Sequence, residues 1–494
     1  MLQSKNLNVS FVFLIIAIIS FFFSDFSIST YEPFLELKNF SKAIFDINLT
    51  QIPALLPALF STITIAVVAM FFACIIGFFL AIFFENFFLR TTLAFTRAIH
   101  ELFWALIFLQ IFGLNTTTAL LAIIIPYSAI LAKVYAEILE ENDTFPKELK
   151  GISLISYYIY TKIPDAFPHI VAYTLYRFEC ALRSTAILGF VGITTLGYYL
   201  SSSFMQGVYG DVWLLLILFY IVIATIRFWL TKYSVSFVVI ASFFYLDDFA
   251  SINIDNFIRF ITSDIIPHPI RTGKGFEEIF QWFSNIFFEE IIVGVFNTIL
   301  LTQISLVLTA ILALIAFPFI SKKFVKNRLG RGLSHVFLVV LRSTPEYILA
   351  YLFLQMFGPS MLPAALALML HNGAIIAFLM GQQVNELNLR LDVTKKKNEL
   401  YLFEVIPRIY SQFLAFLFYR WEIIMRESAI LGILGIATLG FYIDSAIADF
   451  RLDKMMFLLT ITALLNIAID IFSRKARNYL KVEKAITSCG CDLK

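Results

Sequence analysis

Charged residues are scarce in this sequence of 494 residues: Asp, Glu, Lys and Arg make up only 15% of it, while 60% is hydrophobic. Soluble domains average about 25% charged and about 45–50% apolar residues. So much apolar surface would leave large exposed patches on a protein in water. The net charge of +2 also gives no basic surface for DNA or RNA. These shortages argue against a soluble enzyme and against a nucleic-acid-binding protein.

Motifs that carry chemistry are missing as well. The sequence has no phosphate-binding loop of the pattern G-x(4)-G-K-[ST] and no G-x-S-x-G motif of serine hydrolases. The C-G-C at Cys489 to Cys491 offers half a metal site at best. The five histidines show no pairing at metal-ligand spacing, so we expect surface or loop positions for them. We therefore expect no catalytic residue, no metal and no cofactor. The histidines are His100, His169, His268, His335 and His371.

Long apolar runs are abundant. A membrane-spanning helix needs about 20 mostly apolar residues, and twelve segments approach that length. The first begins after Lys5 and has no small-residue cleavage site, so we expect an uncleaved anchor helix. The sequence predicts an all-α polytopic membrane protein with about twelve transmembrane helices. They lie near 7–24, 54–84, 95–113, 116–139, 165–190, 211–231, 233–249, 288–319, 335–358, 360–384, 408–433 and 453–473.

Positive charge is unevenly divided between alternate loops. If the segment 140–164 is cytoplasmic, the loops on its side carry 24 Lys and Arg and the opposite loops carry 7. Cytoplasmic loops of membrane proteins carry the excess of positive charge. We therefore expect both termini in the cytoplasm.

An internal repeat divides the chain. The segment 95–113 aligns with 340–358, and 177–200 aligns with 420–443 at 13 of 24 identical positions. Because six spans separate the copies, the two halves should have the same orientation, as parallel six-helix repeats with a pathway between them. The predicted parts are a first half at 1–231 with its core at 54–231, an anchor helix and external loop at 232–287, a second core at 288–473 and a cytoplasmic tail at 474–494.

A long polar segment follows the fourth span of each half and ends in Ile-Pro, where the chain re-enters the membrane. In the first segment Gly151 lies 13 residues before Pro164. This spacing, with R-x(3)-E-x(5)-IF ahead of FG, AKVYAEILEEND and LYRFE-x(3)-R-x(3)-LG-x-VG, resembles the membrane permeases of binding-protein-dependent ABC importers, in particular the phosphonate-transport branch. The doubled chain resembles a fused form within that branch. The second segment departs from the pattern, since Thr394 stands where the first has Gly151.

The resemblance implies a transporter subunit in the plasma membrane, the inner membrane of bacteria, that is not itself an enzyme. Its cargo would be phosphonate or a related phosphorus oxyanion. Its partners would be membrane lipid, two copies of a separate ATPase subunit and a periplasmic or surface binding protein. Two alternatives remain open: an ABC importer permease for phosphate or another small solute, and a secondary transporter driven by an ion gradient. The residues that would shape the ATPase-coupling loops are Gly151, Ile163, Pro164, Thr394, Ile406 and Pro407.

Charged residues inside the apolar segments recur in both halves. Four pairs of opposite charge are spaced i, i+4, which would place each pair on one helix face. A charge at a helix centre costs about 2.5–3.5 kcal/mol, and an exposed pair returns only about 0.2–0.5 kcal/mol. The pairs either brace the helices or supply positive potential along the path of an oxyanion, which suits the donors of arginine. The candidate residues are Arg97, Glu101, Arg177, Glu179, Arg183, Arg342, Glu346, Arg420, Glu422 and Arg426.

Glycines follow the second charged pair of each half. Small residues let helices approach closely, so packing is one interpretation. A gate or hinge at the outer end of the pathway is the other. The glycines are Gly189, Gly192, Gly197, Gly432, Gly435 and Gly440.

Overall fold

The computed structural model describes residues 2–141, 156, 158–246, 249, 254–390 and 396–480. These residues form α-helices joined by turns and by short 3-10 and π segments, and no strand occurs among them. The prediction of an all-α polytopic membrane protein is confirmed at this level.

The first stretch of chain runs from a long N-terminal helix through four further helices of 21 to 31 residues and several shorter ones. Its helices are α1 (Leu2–Phe23), α2 (Pro33–Lys42), α3 (Ile52–Ile82), α4 (Phe87–Ala98), α5 (Glu101–Phe112), α6 (Thr116–Glu141), α7 (Ile163–Leu188), α8 (Leu196–Met205), α9 (Tyr209–Trp229) and α10 (Val235–Tyr245).

The second stretch begins with short helices and then runs through elements of similar length in the same order. Its helices are α11 (Ile254–Arg259), α12 (His268–Arg271), α13 (Phe276–Ile286), α14 (Ile292–Ile320), α15 (Arg328–Ser343), α16 (Glu346–Phe357), α17 (Met361–Glu386), α18 (Ile406–Leu431), α19 (Leu439–Ala448) and α20 (Leu452–Tyr479), with a single turn at Lys397–Glu399 before α18.

The described residues do not confirm the predicted number of about twelve spans. Among the described residues eight are long and apolar enough, or up to eleven if each of three bent pairs is one span. The expected span near 233–249 is the helix Val235–Tyr245, which has only 11 residues. The expected spans near 95–113 and 335–358 are each broken into two helices at bends of 92° and 93°. Hydropathy did not reveal the breaks because each pair of helices, averaged together, is apolar enough for one span.

The two bends have the same shape but different local causes. In the second half Thr344 precedes Pro345, and the proline ring pushes the preceding residue into the extended conformation; Thr344 has ψ 121° and Pro345 has ψ 141°. The bend of the first half contains no proline. There His100, at ψ 147°, caps α5 by accepting the Leu102 N–H on its ring Nδ1. Each bend therefore starts a new helix in mid-chain.

Contacts divide the chain into two units. Among the described residues, one combines the N-terminal segment through Asn39 with the chain from Ile261 to Leu480, and the other runs from Phe40 to Phe260. Helix α1 packs on α14 and α18, where Asn6 Nδ2 donates to Ser411 Oγ at 2.7 Å. In the other unit α10 packs on α3. The sequence-based division into halves at 231/232 stays a prediction.

Candidate functional site

The two broken helices each place a glutamate at the start of a new helix inside the protein. Glu101 is the first residue of α5 and Glu346 the first residue of α16, and they are only 9% and 7% exposed. The partial positive charge of a helix N-terminus favours a carboxylate there. The structure thus makes these two glutamates the most buried acidic members of the predicted set of charges.

The breaks overturn part of the spacing argument. The prediction that Arg97–Glu101 and Arg342–Glu346 each share one helix face is wrong, because the two members of each pair lie on different helices that meet at about 90°. Arg342 instead holds its guanidinium carbon 4.3 Å from the centre of the Phe378 ring. A cation over an aromatic face is attracted by the ring quadrupole.

In the first half Glu101 lies in a cluster of hydrogen-bonding side chains. Ser184 Oγ on α7 lies 2.6 Å from Glu101 Oε1, within donating distance, and Tyr127 Oη on α6 lies 2.9 Å from the same Ser184 oxygen. His100 Nε2 lies 3.3 Å from Glu101 Oε2. A buried carboxylate requires such partners, since burying it without them is costly. Three helices are joined here around one acidic side chain.

In the second half Glu346 has different neighbours. His371 on α17 holds its Nε2 3.9 Å from Glu346 Oε2, and Asn372 Nδ2 donates to Glu427 Oε2 on α18 at 2.8 Å. Sequence reasoning missed Glu427, although the repeat alignment puts it opposite Ser184. That replacement of a serine by a carboxylate is the signal that could have revealed it.

Two of the five histidines correct an expectation. His100 and His371 are 5% and 1% exposed. The prediction of surface or loop positions is wrong for His371, which lies inside α17; His100 does lie in the turn between α4 and α5, but that turn is buried.

Four of the six predicted arginines lie on two continuous helices, α7 and α18. Arg177 on α7 and Arg420 on α18 are buried, at 8% and 7% exposure. Arg177 Nε donates to Tyr173 Oη at 2.7 Å, and Arg420 Nη1 lies 3.4 Å from Asn372 Oδ1. Arg183 is half-buried, with Nη2 3.2 Å from Cys180 Sγ.

The remaining two i, i+4 pairs do share a helix, as their spacing requires. Glu179 and Arg183 lie on α7, and Glu422 and Arg426 lie on α18. All four are half-buried. Residues four apart on a helix are surface neighbours, so each pair occupies one face.

The glycines separate into two kinds. A Cβ on Gly189 would lie 2.1 Å from the backbone nitrogen of Tyr198, and a Cβ on Gly440 would lie 1.8 Å from the Ala429 carbonyl oxygen. Gly197 and Gly432 make equally close approaches, so these four let a long helix and the following short helix touch backbone to backbone. Gly192 and Gly435 instead have φ of +100° and +82°, in the region that glycine adopts most easily.

Gly192 also borders a cavity of about 660 Å³ within the unit Phe40–Phe260. Its wall combines the turn Leu114–Thr116, the turn Gly192–Thr194 and the end of α10 at Tyr245 and Leu246. Polar and apolar atoms share the lining. The volume falls within the range of about 300–1,000 Å³ typical of small-molecule sites.

The predicted coupling residues are described in part. Gly151 and Thr394 lie outside the described residues. The other four form the first two positions of long helices: Ile163 and Pro164 begin α7, and Ile406 and Pro407 begin α18. Proline suits that position because its missing N–H is not needed in the first turn. A π segment precedes each helix, at Tyr158–Lys162 and Leu400–Val405.

The base of the second segment is tied to α18 by ion pairs. Glu404 is 7% exposed and accepts from Arg408 Nη1 at 2.6 Å. Arg390 Nε approaches the other carboxylate oxygen at 3.7 Å. Arg408 Nη1 also donates to the Asn388 carbonyl at 2.8 Å. These contacts hold the start and the end of the segment together.

The fold and these buried charges together define a polytopic membrane protein with paired broken helices. Comparison with known proteins finds similar chains among permeases for phosphorus oxyanions. The chain is 28% identical over 123 residues to the phosphate-import permease protein PhnE of Mycolicibacterium smegmatis, covering 24% of this chain and 23% of that protein. It is 24% identical over 185 residues to the phosphite transport system permease protein PtxC of Stutzerimonas stutzeri, covering 36% and 66%.

A third relative is the putative phosphite transport system permease protein HtxE of Stutzerimonas stutzeri, at 30% identity over 135 residues, 27% of this chain and 52% of that protein. The chain thus matches between 23% and 66% of the length of these relatives. No family model matches the chain. No solved structure matches it either.

Proposed function

We propose that this chain is the membrane permease subunit of an ABC importer that carries phosphonate or a related phosphorus oxyanion into the cell. The observation that supports it most is its similarity to permeases whose names assign them phosphate or phosphite. Separate ATPase subunits would supply the energy, and a binding protein would deliver the anion. The mycobacterial relative supports phosphate as the second candidate cargo.

Relative lengths support a fused pair of halves. The 123 matched residues make up 23% of the mycobacterial permease, which is therefore about as long as this chain. The 185 matched residues make up 66% of the phosphite permease, which is therefore about half as long. A chain with two permease halves would need only one copy per complex, with two ATPase subunits.

The described ends of the two polar segments suit a coupling role. In both halves a π segment leads without interruption into the long helix that carries the buried arginine, α7 or α18. A push from an ATPase on the segment would pass along a rigid helix to Arg177 or Arg420. This assignment places the segments, and with them both termini, on the cytoplasmic side of the plasma membrane.

The cargo would meet positive potential from the same two helices. Arg183 and Arg426 are half-buried, and their positive charges would act on an anion that passes these helices. Arginine donates several hydrogen bonds in a geometry that matches phosphorus oxyanions. Weak binding is required, because a deep trap would stop conduction.

Uptake by intact cells tests the proposal. Cells with and without the gene are given labelled methylphosphonate, phosphite or phosphate, and uptake is measured with ATP present and the proton gradient collapsed. Deletion of the gene is expected to abolish uptake of at least one of the three anions. In cells that carry the gene, uptake of that anion should continue after the proton gradient is collapsed. Uptake that needs the gradient would point to a secondary transporter, and unchanged uptake of all three anions would refute the cargo assignment.

The double variant Arg183→Ala with Arg426→Ala should abolish uptake while membrane insertion is unchanged. The matched control is Arg90→Ala with Arg328→Ala, which removes two exposed arginines from α4 and α15. Equal uptake by both double variants would leave the arginines with a bracing role only.

A further inference from the structure

Two carboxylates and one imidazole converge in the second half of the chain. Glu346 on α16, His371 on α17 and Glu427 on α18 each offer one atom to a cluster whose members lie within 4.8 Å of one another. All three side chains are buried, at 7%, 1% and 7% exposure. The three helices that carry them pack against one another.

The backbone at the helix break fixes which nitrogen of His371 faces the carboxylates. Nδ1 lies 2.9 Å from the Thr344 carbonyl oxygen, and a carbonyl can only accept, so Nδ1 carries the proton. Nε2 of a neutral His371 then presents a lone pair toward Glu346 Oε2, 3.9 Å away. An imidazole lone pair and carboxylate oxygens that face one another are the donor atoms that a divalent cation binds. This arrangement, with the distal N–H held by a carbonyl, is the one that metal-binding histidines use.

The first half provides an internal comparison with the opposite arrangement. His100 Nδ1 accepts the Leu102 N–H at 3.2 Å, so its proton is on Nε2, which faces Glu101 at 3.3 Å as a donor. At the position of Glu427 this half has Ser184, whose hydroxyl bonds to Glu101. This half therefore has one carboxylate, a donor imidazole and a hydroxyl where the second half has two carboxylates and an imidazole lone pair.

From this contrast we infer that Glu346, His371 and Glu427 form a binding site for a first-row divalent cation such as Zn²⁺ or Mn²⁺. A mixed set of one imidazole and two carboxylates favours these ions over Ca²⁺ and Mg²⁺, which take oxygen ligands. Two buried carboxylates close together repel each other, and a divalent ion cancels their charge. Arg420 reaches the cluster through Asn372, whose amide orients Glu427.

The distances allow the ion to bind with small movements. Bonds of about 2.0–2.2 Å from a metal to nitrogen and oxygen ligands put the ligand atoms about 3–3.5 Å apart in a tetrahedral site. The separation of up to 4.8 Å must therefore shrink by at most about 1.3–1.8 Å. Glutamate side chains can do this by rotating about their side-chain bonds. The ion would tie the start of α16 to α17 and α18, and this role does not depend on the cargo.

Metal content of the purified full chain tests the inference. The chain is prepared in detergent without a polyhistidine tag and with Cys489→Ser and Cys491→Ser, so that no tag or tail thiol contributes. The probes are ZnCl₂ and MnCl₂ alone, with bound metal measured by mass spectrometry after desalting. We expect about one ion per chain and a rise in the unfolding temperature on adding the bound metal.

Matched variants separate the two halves. His371→Gln and Glu427→Ser, which makes the second half like the first, should weaken binding at least tenfold, whereas His100→Gln should leave it unchanged. Glu427→Gln keeps the side-chain shape and serves if Glu427→Ser fails to fold. The inference is overturned if the wild-type chain binds neither ion. That is the result expected if His371 is protonated on both nitrogens and itself neutralises the carboxylates. Equal binding by His371→Gln and His100→Gln would overturn it as well.

Discussion

Replacing Gly440 with alanine should destabilise the protein through a single methyl group. The new Cβ would lie 1.8 Å from the Ala429 carbonyl oxygen, whereas real Cβ contacts do not fall below 3.0 Å. The start of α19 and the end of α18 must therefore separate by about 1.2 Å, the difference between those two distances. Because the obstructing atom belongs to the backbone, no side chain can rotate away to relieve the contact.

Overpacking of this kind costs about 1–3 kcal/mol. A unit of this size loses about 2–4 °C of unfolding temperature per kcal/mol, so we expect a fall of about 2–12 °C. Tryptophan fluorescence during heating of the detergent-purified chain measures it. Gly332→Ala is the matched control, because nothing lies within 4 Å of its Cβ and alanine is the better helix former. An unfolding temperature for Gly440→Ala equal to that of the wild type would refute the packing argument and favour the gate interpretation.

Two further substitutions test individual contacts. Ser184→Ala removes a hydrogen-bond partner of the buried Glu101 carboxylate and should cost about 1–3 kcal/mol of stability, which would lower the unfolding temperature. Ser202→Ala is the control, because it removes an exposed hydrogen bond and should have little effect. Equal losses of stability in the two variants would contradict the reasoning. Glu404→Gln weakens the pairing with Arg408 and Arg390. Loss of about 1.5 kcal/mol there should speed tryptic cleavage of the segment about tenfold, while the exposed Glu399→Gln should not, and equal rates would show that the pairing does not hold the segment.

The long spans were predictable because membrane thickness sets their length and composition. The expected span near 116–139 is the helix Thr116–Glu141, and the one near 360–384 is Met361–Glu386. The breaks were not predictable from hydropathy, which averages over a window and cannot detect a turn inside it. One local signal was present in the second half, where Thr344 precedes Pro345. The first half has no such proline.

The buried site was only half predictable for a related reason. Glu101 and Glu346 stood out because a charge in an apolar run is costly and therefore conspicuous. Their partners did not, because Ser184, Tyr127 and His371 are ordinary residues of helices distant in sequence. Only a fold brings such residues together, and spacing along one helix gives no information about them.

The two halves show how repeated sequences can keep a geometry while changing its chemistry. Both bury a glutamate at the start of a helix that follows a sharp bend, and both bring a histidine to it. The histidine comes from the bend itself in the first half and from α17 in the second, where the bend is made by proline. A proline at the bend leaves no side chain there to reach the carboxylate, so the partner has to come from another helix. In the second half this partner is His371, and the Thr344 carbonyl holds its proton on Nδ1. Its Nε2 lies in one cluster with the carboxylates of Glu346 and Glu427, an arrangement suited to binding a cation rather than to donating a hydrogen bond.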